Sequence, residues 1–321
     1  MEIKAKSVRF DRYIPILTIQ DGVVVSKRGE LTVGWEVALP PLCSVTEDGY
    51  EDMLESLSSA VRSLGQGFIV HRQDIYLKDS YHAEKTGGFL SESYERHFDA
   101  RDHLTHRQYL FLTLALKDAP SRGISSSGAF GISFPKGELL AKDLATLLSK
   151  ATEFASVISG RGGYGLKPLD DRELAALVHR HTCLHSSDGV FSDLEPYPDK
   201  VKCGPRTLWA YSISESRALP SLLNPSQRAD SLSGGSSEIR LSTAAAIGPL
   251  LDCEHMVNTY VFTLNQGETM REMGGRKRRM TSMSQNAENK VGAEELEEFA
   301  DLTHKESLIC LKAHTNILVW G

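Results

Sequence analysis

"RQYLFLTLALK" (Arg107 to Lys117) decides how this chain is read. Tyr109 to Leu116 is almost continuously apolar, with no polar face of its own. A short run of that kind suits a strand buried on both sides at the centre of a sheet. It is far too short to cross a bilayer, which takes about 20 apolar residues in a helix.

Working upstream, "FIVHRQDIYLK" (Phe68 to Lys78) is a second strand, with polar residues at its middle. "PILTIQDGVVVSKRGELTVGWEVALP" (Pro15 to Pro40) is β-rich, with turn signals at Asp21-Gly22 and Lys27-Arg28-Gly29. A helix separates the two. Ser44 followed by Glu47 has the form of a capping box, and Tyr50, Met53, Leu54, Leu57, Val61 and Leu64 share one helical face. Gly65 and Gly67 end it. The polar connection "EKTGGFLSESYERHFDARDHL" predicts a loop and a surface helix.

Downstream, "APSRGISSSGAFGISFP" (Ala119 to Pro135) is a Ser/Gly loop. A long amphipathic helix then runs through Leu140, Leu144, Leu147, Leu148, Ala151, Phe154, Ala155 and Ile158. "GRGGYG" (Gly160 to Gly165) stops it, and another helix opens at Asp170 with Glu173 three residues on. Short strands are expected near Val201–Lys202 and Thr207–Ser214, then a mobile Ser/Gly-rich linker over 224–243. A strand at Val257 to Leu264, a basic helix, an acidic helix and a closing strand complete the order. This order gives an α+β fold in two lobes, 1–198 and a smaller 199–321. Mixed or antiparallel sheets carry packed helices, an order compatible with split βαβ units of ferredoxin-like character.

The 321 residues carry a net charge of −6, so indiscriminate binding to nucleic acid or acidic membranes is not the default. Cys43, Cys183, Cys203, Cys253 and Cys310 form no CxxC pair and read as reduced cytosolic thiols. The start, "MEIKAKSVRFDRY", has no apolar signal-peptide core.

Four motifs invite a chemical reading. "HRHTCLH" (His179 to His185) gathers three histidines and a cysteine. On the helix opened by Asp170, His181 falls in line with Leu174, Leu177 and Val178, and His185 lies one turn on. His179 and Cys183 point elsewhere, so a helix cannot converge all four on a metal. A half-buried helix end, with imidazoles near the negative dipole terminus, is the better reading. "GRGGYG" matches GxGxxG, yet it follows a helix, whereas a dinucleotide fingerprint follows a strand and opens a helix. No Gly-Lys-Ser or Gly-Lys-Thr occurs, and "EKTGG" (Glu84 to Gly88) has the letters in the wrong order for a phosphate loop. GxSxG is missing too. No catalytic, cofactor or metal residue is therefore assigned. The fourth motif, "GGRKRRM" (Gly274 to Met280), concentrates Arg276, Lys277, Arg278 and Arg279. It could touch phosphates, but no aromatics interleave for base stacking. With the acidic run Glu294 to Glu298, a helical hairpin with complementary faces is the simpler reading.

Several segments together resemble a known family. "RFDRYIPILTIQDGVVVSKRGELTVGWEV", "IVHRQDIYLKDSYH" and "RQYLFLTLAL" resemble the N-terminal region of TraG-type conjugation ATPases of Bacteroides conjugative elements. These are relatives of the hexamer-forming motor of type IV secretion systems. "GPLLDCEHMVNTYVFTLNQ", "RKRRMTSMSQNAENK" and "KAHTNILVWG" fit the same region in the same order. The resemblance implies a cytosolic motor protein, peripheral at the inner membrane through its partners, without membrane insertion of its own. Its ATPase core, with ATP and Mg, would lie downstream of this segment, which ends on a strand like the N-terminal piece of a longer protein. The expected role is docking onto inner-membrane secretion components, the protein's own ATPase domain and neighbouring copies; contact with nucleic acid is the second candidate. Candidate contact surfaces are the strand edges in Asp21 to Val37, the polar segment Arg72 to His82 with Arg72 and Asp74, and the helix carrying Arg276 to Arg279.

Overall fold

The computed structural model describes residues 14–41, 44–84, 87–115, 137–161, 163–186, 189–213, 224, 226–228, 230, 233–234, 239–242, 251–283, 287–305 and 308–321. In chain order the elements are β1 (Ile16–Gln20), β2 (Val23–Ser26), β3 (Leu31–Ala38), α1 (Glu47–Leu64), β4 (Phe68–Ser80), α2 (Phe89–Phe98) and β5 (Asp102–Leu114). Then follow α3 (Gly137–Arg161), β6 (Gly165–Pro168), α4 (Asp171–Thr182), β7 (Leu194–Pro196), β8 (Val201–Cys203) and β9 (Arg206–Ser212). The last are β10 (Ser226–Arg228), β11 (Arg240–Ser242), β12 (Glu254–Thr263), α5 (Gln266–Met283), α6 (Ala287–Lys305) and β13 (Leu311–Trp320).

The fold is α+β, built on one large open antiparallel sheet ordered β1-β2-β3-β5-β4-β12-β13-β9-β8-β7, with β6 also on β3. The apolar run of β5 lies between β3 and β4, where both its faces are covered. β3 and β4 are each antiparallel to β5 and hence parallel to one another, joined by α1. With α3 and β6 added, the order β6-β3-β5-β4 is that of a βαββαβ ferredoxin-like unit. On the other edge of β4, β12 pairs from Ile69 to Tyr76, and β13, β9, β8 and β7 extend the same sheet. Residue 198 falls in the turn between β7 and β8, so the sheet runs through both segments expected as lobes.

Alternation along the strands sends successive side chains to opposite faces. On one face Val33, Trp35, Val37, Val70, Leu110 and Leu112 pack against Ala60, Val61 and Leu64 of α1 and Leu147, Ala151, Phe154 and Ile158 of α3. On the other, Ile75, Tyr109, Met256 and Trp320 pack with Leu169 and with Leu174 and Leu177 of α4. Gly34 lies on this second side. A Cβ there would sit 2.7 Å from the Phe111 ring, so the missing side chain is what lets the cross-strand aromatic lie flat on β3. Asp21 and Gly22 both have positive φ, as a two-residue hairpin between β1 and β2 requires. Their amides donate to the Asp171 carboxylate at 3.2 and 2.6 Å, which ties that hairpin to the first turn of α4.

Three sequence expectations are corrected. The N-cap of α1 is Thr46, whose Oγ1 accepts from Gly49 N, rather than Ser44; Ser44 bonds back to Pro41 O in the preceding turn. The glycine motif ends α3 at Arg161 but is more than a turn, because its last residue, Gly165, opens β6, which pairs on β3. Asp21 to Val37 presents no free ladder edge, because β2 lies between β1 and β3, and β3 between β2, β6 and β5; the outer strand is β1. The Ser/Gly loop Ala119 to Pro135 lies outside the described residues. Within 224–243, β10 and β11 form a two-stranded ribbon, which Arg240 ties to Glu47 of α1 at 2.8 Å.

Candidate functional site

"HRHTCLH" lands on the second face of the sheet, but not along one helix. Asp170 and Glu173 form the expected capping box, and α4 ends at Thr182. Leu184 and His185 both adopt positive φ, uncommon for residues with side chains, and this double reversal folds His185 back beneath the helix. The reversal is held by Arg206, which donates to Leu184 O at 2.6 Å, and by His185 stacking on Trp320 at 5.7 Å. His179 instead approaches Cys183 at 3.9 Å. Among the described residues no group of three His, Cys, Asp or Glu side chains is placed to hold a metal ion.

His181 heads a polar seam that crosses three strands. Its Nδ1 donates to Leu177 O at 2.6 Å, and its Nε2 lies 2.9 Å from the Gln73 amide. Gln73 meets Asn258 at 3.0 Å, Asn258 meets Asn316 at 3.0 Å, and His71 joins at Asn258 from 2.9 Å. The register makes this possible, since Gln73, Asn258 and Asn316 are direct cross-strand partners on β4, β12 and β13. Burial, opposed by the Asn258 bond and helped by nearby His181, takes His71 from 6.5 down to about 4. Burial likewise lowers His181, and takes His185 to about 3 with help from His181 and Arg180. Burial favours the neutral form of these rings, so the helix end is half-buried as the sequence suggests, but without imidazolium charge for the helix dipole to answer. A neutral His181 with its proton on Nδ1 accepts at Nε2, which asks Gln73 to turn its NH2 toward the ring. Turning the Asn258 and Asn316 amides with it, and moving the His71 proton to Nδ1 so that Nε2 accepts, keeps every bond. The seam thus has one complete hydrogen-bond pattern for each charge state of His181.

Arg72 and Asp74 lie on the opposite face of β4. Asp74 is only 4% exposed and accepts from Arg72 Nε at 2.8 Å, His106 Nε2 at 2.9 Å and Gln108 Nε2 at 2.7 Å. Burial alone would raise its carboxyl, but His106, Arg72 and Gln108 outweigh burial and hold it below the ordinary range. Tyr76 stacks between His106 and His255, each at 4.5 Å. Asp74 is consequently an internal anchor and not an interaction residue, because its oxygens are already committed inside the fold.

Two elements project from opposite ends of the sheet. β4 and β5 pair as far as Ser80 and Asp102, beyond the last pairs with β12 and β3, which leaves a two-stranded arm. α2 caps this arm, held by Tyr81 donating to Glu95 at 2.8 Å and by Arg101 over the Phe98 ring. Its Phe89 and Leu90 are 85% and 82% exposed, too much for a helix that belongs to the core. Because β12 runs antiparallel to β4, the α5–α6 hairpin leaves from the other end. The expected complementary hairpin is present: Lys277 meets Glu297 at 2.7 Å across it. Arg276, Arg278 and Arg279 are exposed on α5, and Glu294, Glu295 and Glu298 on α6. Sequence reasoning missed the exposed apolar tip of α2, for which Phe89-Leu90 after Gly87-Gly88 was the available signal.

Among the described residues no helix is long and apolar enough to cross a membrane. Residues 3–54 match a family described as "Domain of unknown function, B. Theta Gene description (DUF3875)". That match covers β1 to β3 and the start of α1. No curated protein matches the chain. The match places a Bacteroides-derived domain of unknown function at the N-terminal end of the chain.

Proposed function

We propose that this chain is the non-catalytic N-terminal domain of a TraG-type conjugative-transfer ATPase. It docks the motor to inner-membrane secretion components and to neighbouring subunits during DNA transfer. The observation that carries this reading is that the Bacteroides-derived family matches the same N-terminal stretch, β1 to β3, that opens the collinear resemblance to Bacteroides conjugation proteins. Two helical projections on a broad sheet suit a docking role, since they offer surface without dismantling a core. Arg72 serves that role indirectly, by fixing Asp74 inside β4. The test is cross-linked capture of the full-length protein in cells that express its transfer operon. Recovery of inner-membrane secretion components supports the reading. Their absence, or ATP turnover by the purified 321-residue chain that one substitution within it abolishes, overturns it.

A second reading has one specific observation in its favour. Arg276, Arg278 and Arg279 are exposed on one helix, a distribution able to meet phosphates. In that reading the chain contacts DNA through α5, with affinity that falls steeply as salt rises.

A further inference from the structure

The α5–α6 hairpin is charged asymmetrically. On α5, Arg271, Arg278 and Arg279 are exposed along one stripe, spaced so that they lie one above another with Gly275 between them. A Cβ added at Gly275 would meet nothing within 4 Å. Glycine is a poor helix former and has no side chain, so the Gly274-Gly275 pair weakens α5 and opens a notch in its basic side. On α6, Glu294, Glu295 and Glu298 are exposed on a stripe with Val291 and Leu302, and Phe299 flanks it. Inside one chain the two helices already pair acid with base, through Lys277 and Glu297. What remains outside is the same complementarity turned outward, a basic notched side and an acidic side with apolar residues.

Among the described residues α5 and α6 pack mainly on each other. Their tie to the sheet is at the base, where Gln266 donates to Cys310 O at 3.0 Å and Cys310 N donates to Gln266 at 2.7 Å. A row of such hairpins repeats one relation, because α6 would lie antiparallel to the next α5 just as it does to its own. We propose that copies of this chain associate side by side through the hairpin, the α6 outer face of one copy seating on the α5 outer face of the next. In the register of Lys277 with Glu297, Leu302 and Phe299 come to the glycine notch, and Glu294, Glu295 and Glu298 face Arg278 and Arg279. The contact is heterologous: each copy uses two different surfaces, so it propagates around a ring or along a row.

This inference rests on the docking reading only in taking a neighbouring subunit as partner. Its test reads self-association of the purified chain and the other reads capture of secretion components, so either can fail alone. Sedimentation is measured for the 321-residue chain, for R278E/R279E and for E294R/E298R, at low and moderate salt. The wild-type chain associates, more weakly as salt rises. Each variant alone loses association by about tenfold or more, since like charges then meet. A one-to-one mixture of the two variants recovers it, because their reversed faces complement each other. That recovery also shows that both variants are folded. A wild-type chain monomeric at low salt overturns the proposal, as does a mixture that stays monomeric. A monomeric chain that binds short duplex DNA, with binding lost in R278E/R279E, overturns it in favour of a nucleic-acid face.

Discussion

The two faces of the central sheet are built from different chemistry. Under α1 and α3, beside the Arg72–Asp74 network at the end of the face, the contacts are Val, Leu, Trp and Phe, with Leu112, Phe154 and Leu147 fully excluded from water. Under α4 the same strands present His71 and Gln73, which both meet Asn258; Gln73 also meets His181, and Asn258 carries the seam on to Asn316. The apolar face is non-directional: many sequences of similar volume would hold it. The polar seam is directional, and a slip of one residue in β12 or β13 would send Asn258 or Asn316 to the wrong side. One face supplies most of the stability, and the other fixes which register the added strands adopt.

The largest way to break this comparison is to hollow the apolar face. Phe154→Ala should cost about 3–5 kcal/mol, read as a lower denaturant midpoint at unchanged slope. The next is to cut the seam at its hub. Asn258→Leu leaves His71, Gln73 and Asn316 short of partners and should cost about 2–3 kcal/mol. Adding His71→Phe should recover part of that loss, since His71 Nε2 bonds to Asn258 and removing both ends of a buried hydrogen bond is cheaper than removing one. A further loss from the double variant would mean the seam contributes packing and not polarity.

Acid separates the faces in another way. His71 and His185 have folded values of about 4 and about 3 against an ordinary 6.5, so between those limits the unfolded chain binds the extra protons. Their contribution is fully present above pH 6.5 and is lost as pH falls through the folded values. The thermal midpoint should therefore drop steadily from pH 6.5 to about 4, and His71→Phe should flatten that slope. Asp74, whose folded carboxyl is held low, adds its own loss only at more acid pH, as its folded value is crossed. The smallest effects ignore the faces altogether. Thr46→Ala on α1 and Asp170→Ala on α4 each remove an N-cap and should cost about 1 kcal/mol in a denaturant melt.

Much of the apolar face was legible in the sequence, because period and hydrophobicity act locally. The run in β5, the face of α1 from Tyr50 to Leu64 and the stripe of α3 all emerge from spacing alone. Thr46 was missed because Ser44 has the better-looking motif, while the turn after Pro41 claims its hydroxyl. The seam was half visible. Polar residues in the middle of β4 stood out, yet their partners are supplied from β12 and α4, distant in the chain and not announced by any local pattern. The same polar residues therefore suggested a surface, and Asp74 was placed outside when three donors hold it within.

The pairing of β4 with β12 also sets a timetable. His71 and its partner Asn258 are separated by 187 residues. At roughly 5–20 residues per second, on the order of ten to forty seconds pass between their emergence from the ribosome. Once β6 has emerged, the newborn ferredoxin-like unit spends the rest of that interval with one flank of β4 waiting, and an open strand flank will zip onto any extended chain that reaches it first. Elongation speed and chaperone supply, more than final stability, should then govern how much of this protein is recovered from an overexpressing cell.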